Sequence, residues 1–358
     1  MISNYIKIAM RNILRQKGHA FINILGLAIG LTCALLIFSW VYDEVTYDRF
    51  HENLDRIYRV EQDQYYNGRA YHVTVTPYPS GEGWKQDIPE IEEAVRVAWV
   101  GNLLFKRGDK SFFENNIRAV DSSIFEVFTF PLKYGNPDIA LTKPNSMVIS
   151  QELAHKYFGN ENPLGKTIRV DNQYEFTITG VLEEIPNNSS LDFHVLVPFD
   201  FIRNTDYYRD SWGSNSIFTA VMLKEGADPG PVDQKLTDVV KSHVLGDDDD
   251  PEDYQTQFML APLKKMHLYS YFGFGHDPGQ IQNVYIFSVI GIFILLIAAI
   301  NYMNLSTARA SKRAREIGLR KVTGAYRRHL IGQFYGESII TAIIAALLAV
   351  IFVNLLMQ

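Results

Sequence analysis

The sequence predicts a membrane α-helical protein with three transmembrane helices and a large extracytoplasmic α+β domain inserted between the first and the second. Three observations predict this class. First, the windows Ala20–Tyr42, Ile281–Ala308 and Ser338–Gln358 contain no Asp, Glu, Lys or Arg. A helix rising 1.5 Å per residue needs about 20 apolar residues to cross about 30 Å of hydrocarbon, and each window is long enough. Second, charge is sorted by segment. Lys7, Arg11, Arg15 and Lys17 precede the first window with no acid among them. Eight basic residues stand against Glu316 between the second window and the third, which Glu337 borders. Residues 43–280 carry 22 basic and 38 acidic side chains, so the acid excess of a chain with net charge −6 lies there. Third, that acidic stretch alternates β-rich and helical patterns of globular type. Together these argue against a wholly soluble enzyme, a disordered chain and a nucleic-acid binder.

Lys and Arg translocate poorly and meet an anionic inner leaflet, so both short basic segments belong in the cytoplasm. The expected path at the inner (plasma) membrane is in, out, in, out. Residues 1–19 are cytoplasmic, 20–42 form the first membrane helix, and 43–280 are extracytoplasmic. Residues 281–305 form the second membrane helix, 306–337 a cytoplasmic loop and 338–358 the third helix. The first window is too long for a cleaved signal peptide. Phe38-Ser39-Trp40-Val41-Tyr42 is also bulky where a small-residue cleavage site would lie. It reads as an anchor, with Trp40 and Tyr42 suited to an interfacial aromatic belt.

In chain order, residues 3–17 read as an amphipathic helix. Tyr5, Ile6, Ile8, Ala9, Ile13 and Leu14 cover one face and Lys7, Arg11 and Arg15 another. Such a helix lies in the membrane interface or continues into the first membrane helix. Gly26 and Gly30 form a G-x-x-x-G pattern that lets another helix approach closely. Arg56–Asp63 and Ala70–Thr76 are strand-like around the hairpin signal Asn67-Gly68, and Pro77–Gly83 breaks the pattern. Ser150 is placed to cap a helix through Phe158 that ends at Gly159-Asn160. Thr167–Val170 and Tyr174–Leu182 read as a hairpin across Asp171-Asn172, and Pro231–Val244 as a helix. The domain is expected to be α+β, in one or two lobes.

Several motifs resemble chemistry and fail on spacing. Gly159 to Thr167 looks like a phosphate-binding loop, but its glycines flank five residues where the motif needs four. Pro163 removes a backbone N–H, and the strand-like Ile168-Arg169-Val170 follows where a helix should begin. The acidic run Asp247–Asp250 with Glu252 and Asp253 lacks the spacing of a calcium-binding loop and reads as solvated. Asn187-Asn188-Ser189-Ser190 reads as a polar turn after Pro186. The nine histidines are scattered, and Cys33 is the only cysteine, so neither a Cys-based zinc site nor an intrachain disulfide can form. No catalytic constellation, metal site or resident cofactor is expected, and the chain does not read as an enzyme.

The most informative segment is the cytoplasmic loop: Arg313-Ala-Arg315-Glu316-Ile317-Gly318-Leu319-Arg320-Lys321-Val322-Thr323-Gly324-Ala325, then Gln333-Phe334 and Glu337-Ser338. It is basic, yet it carries apolar residues that so small a loop cannot bury, which invites a protein partner as well as lipid headgroups. This string resembles the signature loop of MacB/FtsX-type ABC transporter permeases. Residues 6–17, 148–159, 162–166 and 180–190 are similar to that family as well. So is the layout of one helix, a large external domain and further helices.

The resemblance implies a separate cytoplasmic ABC ATPase docked on Arg315, Glu316, Ile317, Gly318, Leu319, Arg320, Lys321, Gly324 and Ala325. ATP is then bound by that partner and not by this chain. Glu316 and Arg320, four apart, would hold the docking face in register. ATP-driven dimerisation of the ATPase would move the second helix and with it the external domain. The implied outcomes are export of peptides, antibiotics or other small molecules, or lipoprotein release. Further implied partners are a second permease copy (homodimer or tandem repeat), membrane lipid and, in some arrangements, a periplasmic adaptor. The family continues to a fourth membrane helix, so a chain stopping at Gln358 is expected to be an incomplete permease domain. The alternative reading is a membrane-anchored receptor or signalling protein with an extracytoplasmic sensing domain. A third is an external enzyme held on membrane anchors.

Overall fold

The computed structural model describes residues 17–205, 208–245, 254–269, 280–312 and 327–357. Helix α1 is Lys17–Val45. Then follow β1 (Ile57–Tyr66), β2 (Arg69–Val73), β3 (Thr76–Pro77), α2 (Ser80–Asp87), β4 (Ile91–Trp99), β5 (Leu103–Arg107), β6 (Lys110–Glu114) and β7 (Ile117–Val120). Next come α3 (Ile124–Val127), β8 (Leu132–Gly135), β9 (Ser146–Ile149), α4 (Gln151–Phe158), β10 (Thr167–Val170), β11 (Tyr174–Leu182) and β12 (Val195–Pro198). The chain continues through β13 (Asn215–Leu223), α5 (Gly230–Val244), β14 (Gln257–Pro262), α6 (Leu263–Tyr269), α7 (Ile281–Lys312) and α8 (Arg327–Leu356). It divides into two compact units: Met1–Val45 with Gln282–Gln358, and Thr46–Ile281.

The first unit is helical. Ala20–Val45, Ile281–Ala308 and Tyr335–Leu356 are each long and apolar enough to cross a membrane. Helices α1 and α7 run antiparallel. Gly26 sits opposite Asn301, Gly30 opposite Ala298, and Ile37 and Phe38 against Gly291. Trp40 meets the Phe287 ring edge-on at 4.9 Å. Helix α8 packs along α1, and the Tyr302 hydroxyl of α7 donates to the Ser338 carbonyl of α8 at 3.2 Å. Large apolar side chains such as Phe293, Ile297 and Leu347 point outward. Apolar residues all round a helix are what a lipid surround requires.

The second unit is α+β. Its strands follow the path β14-β1-β13-β4-β7-β12-β9-β11-β10-β5-β6, with β2 on β1, β3 on β13 and β8 on β11. Pairing is antiparallel except for β7 with β12 and β9 with β11. Local chemistry sets the turns. Asn67 (φ 51°) and Gly68 (φ 74°) both take the left-handed conformation that a two-residue hairpin requires. Asp171 (φ 48°) and Asn172 (φ 55°) turn the chain between β10 and β11. The Ser150 hydroxyl accepts the Leu153 amide at 3.3 Å and caps α4, which Gly159 ends at φ 64°.

Helix α2 lies partly in the stretch that the sequence reads as a break. Pro79 is tolerated at a helix start, where no intrahelical N–H bond is lost. Fully buried Trp84 then anchors the helix, its indole donating to the Leu236 carbonyl of α5 at 3.0 Å. Three apolar clusters hold the unit. One centres on Phe105, Tyr157 and Phe176, one on Ile57, Ile124 and Phe128, and one on Trp84, Ile88 and Leu236.

Candidate functional site

The residues that follow α1 in sequence are pinned within the second unit by a dense set of bonds. Asp48 is buried and holds a left-handed backbone conformation at φ 59°, which Asp tolerates better than most residues. Its amide donates to the Asn188 carbonyl at 2.8 Å. Its carboxylate accepts the Ser190 amide at 2.7 Å and the Ser190 hydroxyl at 2.5 Å. The Asn188 amide group donates to the Thr46 carbonyl at 3.1 Å and to its hydroxyl at 3.2 Å. Two strands of irregular backbone are thus cross-linked side chain to backbone in both directions. Burial pushes the Asp48 carboxyl above its ordinary value, while the two Ser190 bonds pull it back.

A second set of contacts ties this segment to α6, the helix that precedes α7 in sequence. The Tyr47 ring stacks on His267 with centroids 3.5 Å apart and planes 2° apart. Lys264 Nζ meets Asp55 Oδ1 at 2.7 Å. A third set reaches the α3 region. Thr129 donates its amide to His51 Nδ1 at 3.0 Å and accepts the Glu52 amide on its hydroxyl at 2.8 Å. Asn53 donates to the Glu126 carbonyl at 3.1 Å. Because Nδ1 of His51 accepts, its ring proton sits on Nε2, 4.0 Å from Asp48 Oδ1. The ring lies among Phe50, Phe128 and Phe130. Burial there pushes His51 down to about 4, so it is neutral at neutral pH.

The Ser190 hydroxyl is bonded to the buried Asp48 carboxylate, in a position that joins two backbone segments. Among the described residues no group of three His, Cys, Asp or Glu is placed to hold a metal ion. The arrangement joins the segment after α1 to α6 and to the Asn188–Ser190 turn. A cavity of about 390 Å³ lined by Glu152, Glu184, Asn187, Asp192 and His194 lies beside the clasp turn.

The sequence-predicted residues fall as follows. Gly26 and Gly30 face α7. A Cβ at Gly26 would meet the Asn301 side chain at 3.4 Å, and one at Gly30 would overlap the Ala298 Cβ. Arg315, Glu316, Ile317, Gly318, Leu319, Arg320, Lys321, Gly324 and Ala325 lie outside the described residues, as do residues 1–16 and the acidic run 247–253. The loop that resembles a phosphate-binding motif spends its backbone internally. The Gly165 amide donates to Ile178 at 2.8 Å and the Lys166 amide to Pro163 at 3.0 Å, and β10 begins at Thr167. Sequence reasoning missed Asp48, His51, Asn188, Ser190 and His267. The one local signal was the polar Asn-Asn-Ser-Ser turn after Pro186.

Comparison with known proteins gives two family matches. Residues 20–239 match the MacB-like periplasmic core domain, and residues 288–358 match the FtsX-like permease C-terminal domain. An uncharacterized ABC transporter permease, YknZ of Bacillus subtilis (strain 168), is 28% identical over 204 residues, covering 57% of this chain and 46% of YknZ. The macrolide export ATP-binding/permease protein MacB of Aggregatibacter actinomycetemcomitans is 25% identical over 260 residues, covering 68% of this chain and 36% of that protein. The chain therefore spans less than half the length of these relatives. A crystal structure of a domain from a Porphyromonas gingivalis protein described as a permease superposes with a TM-score of 0.51 at 23% identity. It covers 66% of this chain and 98% of that domain, and shows likeness of fold.

Proposed function

The chain belongs to the MacB/FtsX-type ABC transporter permease family, and from that premise we propose that it is a non-catalytic subunit through which a separate cytoplasmic ATPase moves an extracytoplasmic domain. The N-terminus and residues 306–337 are cytoplasmic, and 43–280 lie outside the inner membrane. The ATPase binds ATP and docks on Arg315–Ala325. A second permease copy completes the transporter. The cargo is a peptide, an antibiotic or another small molecule, or a lipoprotein released from the membrane.

The observation that carries this reading is the clasp. The segment leaving α1 and the helix preceding α7 are bound to each other through Tyr47–His267 and Asp55–Lys264. They are bound to the body of the domain through Asp48–Ser190. ATP can drive such a device only through differential affinity for two states, and a stiff connection is what turns displacement of a membrane helix into displacement of a domain.

The test is reconstitution of the full chain with a cognate ABC ATPase in vesicles. Arg320→Glu with Lys321→Glu, or Gly324→Pro, abolishes stimulation of the ATPase while the chain still inserts. Unchanged stimulation in both variants contradicts the proposal.

A further inference from the structure

At the far end of the strand path, β10, β5 and β6 present a solvent face whose composition runs against the rest of the domain. Residues opposite each other across antiparallel strands project to the same face. Arg169 stands opposite Lys106 on one side and Glu175 on the other, and Leu104 stands opposite Phe113. The alternate row, with Phe105, Val170 and Phe176, forms part of the core. Lys106, Arg169 and Glu175 are exposed, and Phe113 is 73% exposed. A groove of about 640 Å³ runs here, lined by Lys106, Arg107, Lys166, Arg169 and Glu175.

Two features mark the groove as built for an anion. Like charges directly opposite in a ladder are destabilising, yet Lys106 faces Arg169. Internal neutralisation is also incomplete. Glu161 is shared between Lys166 and, at 3.8 Å, Arg107, which also donates to the Tyr157 carbonyl at 2.9 Å and lies over the Phe158 ring. Among the described residues the Arg169 guanidinium bonds the Asn172 carbonyl alone, with Nε and one terminal nitrogen. Among the described residues the Lys106 ammonium has no hydrogen-bond or ion-pair partner. This positive groove lies in a stretch that carries 22 basic against 38 acidic residues. The groove is open to solvent, and Leu104 and Phe113, on the same face of β5 and β6 as Lys106, offer apolar surface beside it.

The geometry points to a binding site for a phosphate-headed amphiphile. Lys106 and Arg169 hold the phosphate, with Arg107 and Lys166 at the rim, and Phe113 with Leu104 covers the start of the apolar chain. The bound anion relieves the repulsion between Lys106 and Arg169. This inference stands on the external domain alone and is independent of the ATPase coupling proposed above.

The test uses the full chain in an uncharged detergent, titrated with dihexanoylphosphatidylglycerol, with dihexanoylphosphatidylcholine and with inorganic phosphate. The phosphatidylglycerol binds at least about tenfold more tightly than the phosphatidylcholine, a difference that the double variant Lys106→Gln with Arg169→Gln abolishes. That variant unfolds no earlier on heating, because it removes like-charge repulsion. Glu175→Gln tightens binding, and Phe113→Ser weakens binding of the lipid but not of phosphate. Equal affinity for the two lipids, or a double variant that binds as well as the parent, overturns the site. Inorganic phosphate bound as tightly as the lipid, with Phe113→Ser silent, assigns the same chemistry to a free anion and overturns the amphiphile. A hexaglutamate peptide bound more tightly than the lipid overturns it in favour of an acidic protein segment.

Discussion

The amide and the hydroxyl of Ser190 both donate to the carboxylate of Asp48, at 2.7 and 2.5 Å, although 142 residues separate the two in sequence. Asp48 begins three residues after α1 ends, so this pair fixes the first turn of chain beyond the first membrane helix to a distant loop. Bonds to a buried charged acceptor contribute about 1.5–3 kcal/mol. Asp48→Ala therefore lowers the stability of the second unit by about 2 kcal/mol, read from its unfolding midpoint. Asp48→Asn, which keeps an acceptor and tolerates the left-handed backbone, loses less. An alanine variant as stable as the parent contradicts the clasp.

His51 gives the clasp a pH signature. Its folded value of about 4 lies below the ordinary 6.5. The unfolded chain therefore takes up the proton first, and stability is lost as pH falls from about 6.5 through about 4. The full effect is about 3 kcal/mol. Asp48, pushed up by burial, works in the opposite sense at the acid end. His51→Gln keeps an acceptor for the Thr129 amide and removes the titration. The difference in stability between parent and variant should shrink across that window, and a constant difference contradicts the assignment.

His72 has the opposite slope. Its ring nitrogens lie 2.7 Å from Glu61 and 2.7 Å from Asp63, and the bond to Glu61 leads in raising its value. The stabilisation is fully present below the unfolded value near 6.5 and is lost as pH rises through the raised folded value. His72→Gln therefore destabilises more at pH 5.5 than at pH 8.5, as denaturant midpoints at the two pH values would report.

In the membrane unit, Gly30→Ala brings a methyl group onto the Ala298 Cβ. Overpacking of this kind costs about 1–3 kcal/mol. Ala298→Gly in the same chain restores the space, so the double variant recovers the thermal stability in detergent that the single one loses. A double variant no better than Gly30→Ala shows that the two helices do not meet at this register.

Much of this architecture is legible in the sequence. The three charge-free windows and the segregation of Lys and Arg from acid specify helices and domain, because hydrocarbon tolerates neither charge nor unpaired backbone. Asn67-Gly68, Asp171-Asn172 and the Ser150 cap are local signals, and each forms the turn or cap that its chemistry favours. The clasp was not legible. Asp48 and Ser190 carry no local pattern linking them, and a polar turn after Pro186 looks the same with or without a partner. The Lys106–Arg169 opposition was hidden for a similar reason, since it exists only once β5 and β10 pair in one particular register.

The central claim is that motion made in the cytoplasm reaches the external domain through the clasp. Its most direct test is the thiol reactivity of Asn187→Cys, in a chain with Cys33→Ala, reconstituted in vesicles with the partner ATPase, with and without ATP. Asn187 is exposed, and its carbonyl accepts the Tyr47 hydroxyl at 3.4 Å. Reactivity that changes with ATP, and ceases to change when Arg320→Glu and Lys321→Glu or Asp48→Ala is added, is the expected result. Reactivity indifferent to ATP in the parent, or a response that survives in both variants, contradicts the account.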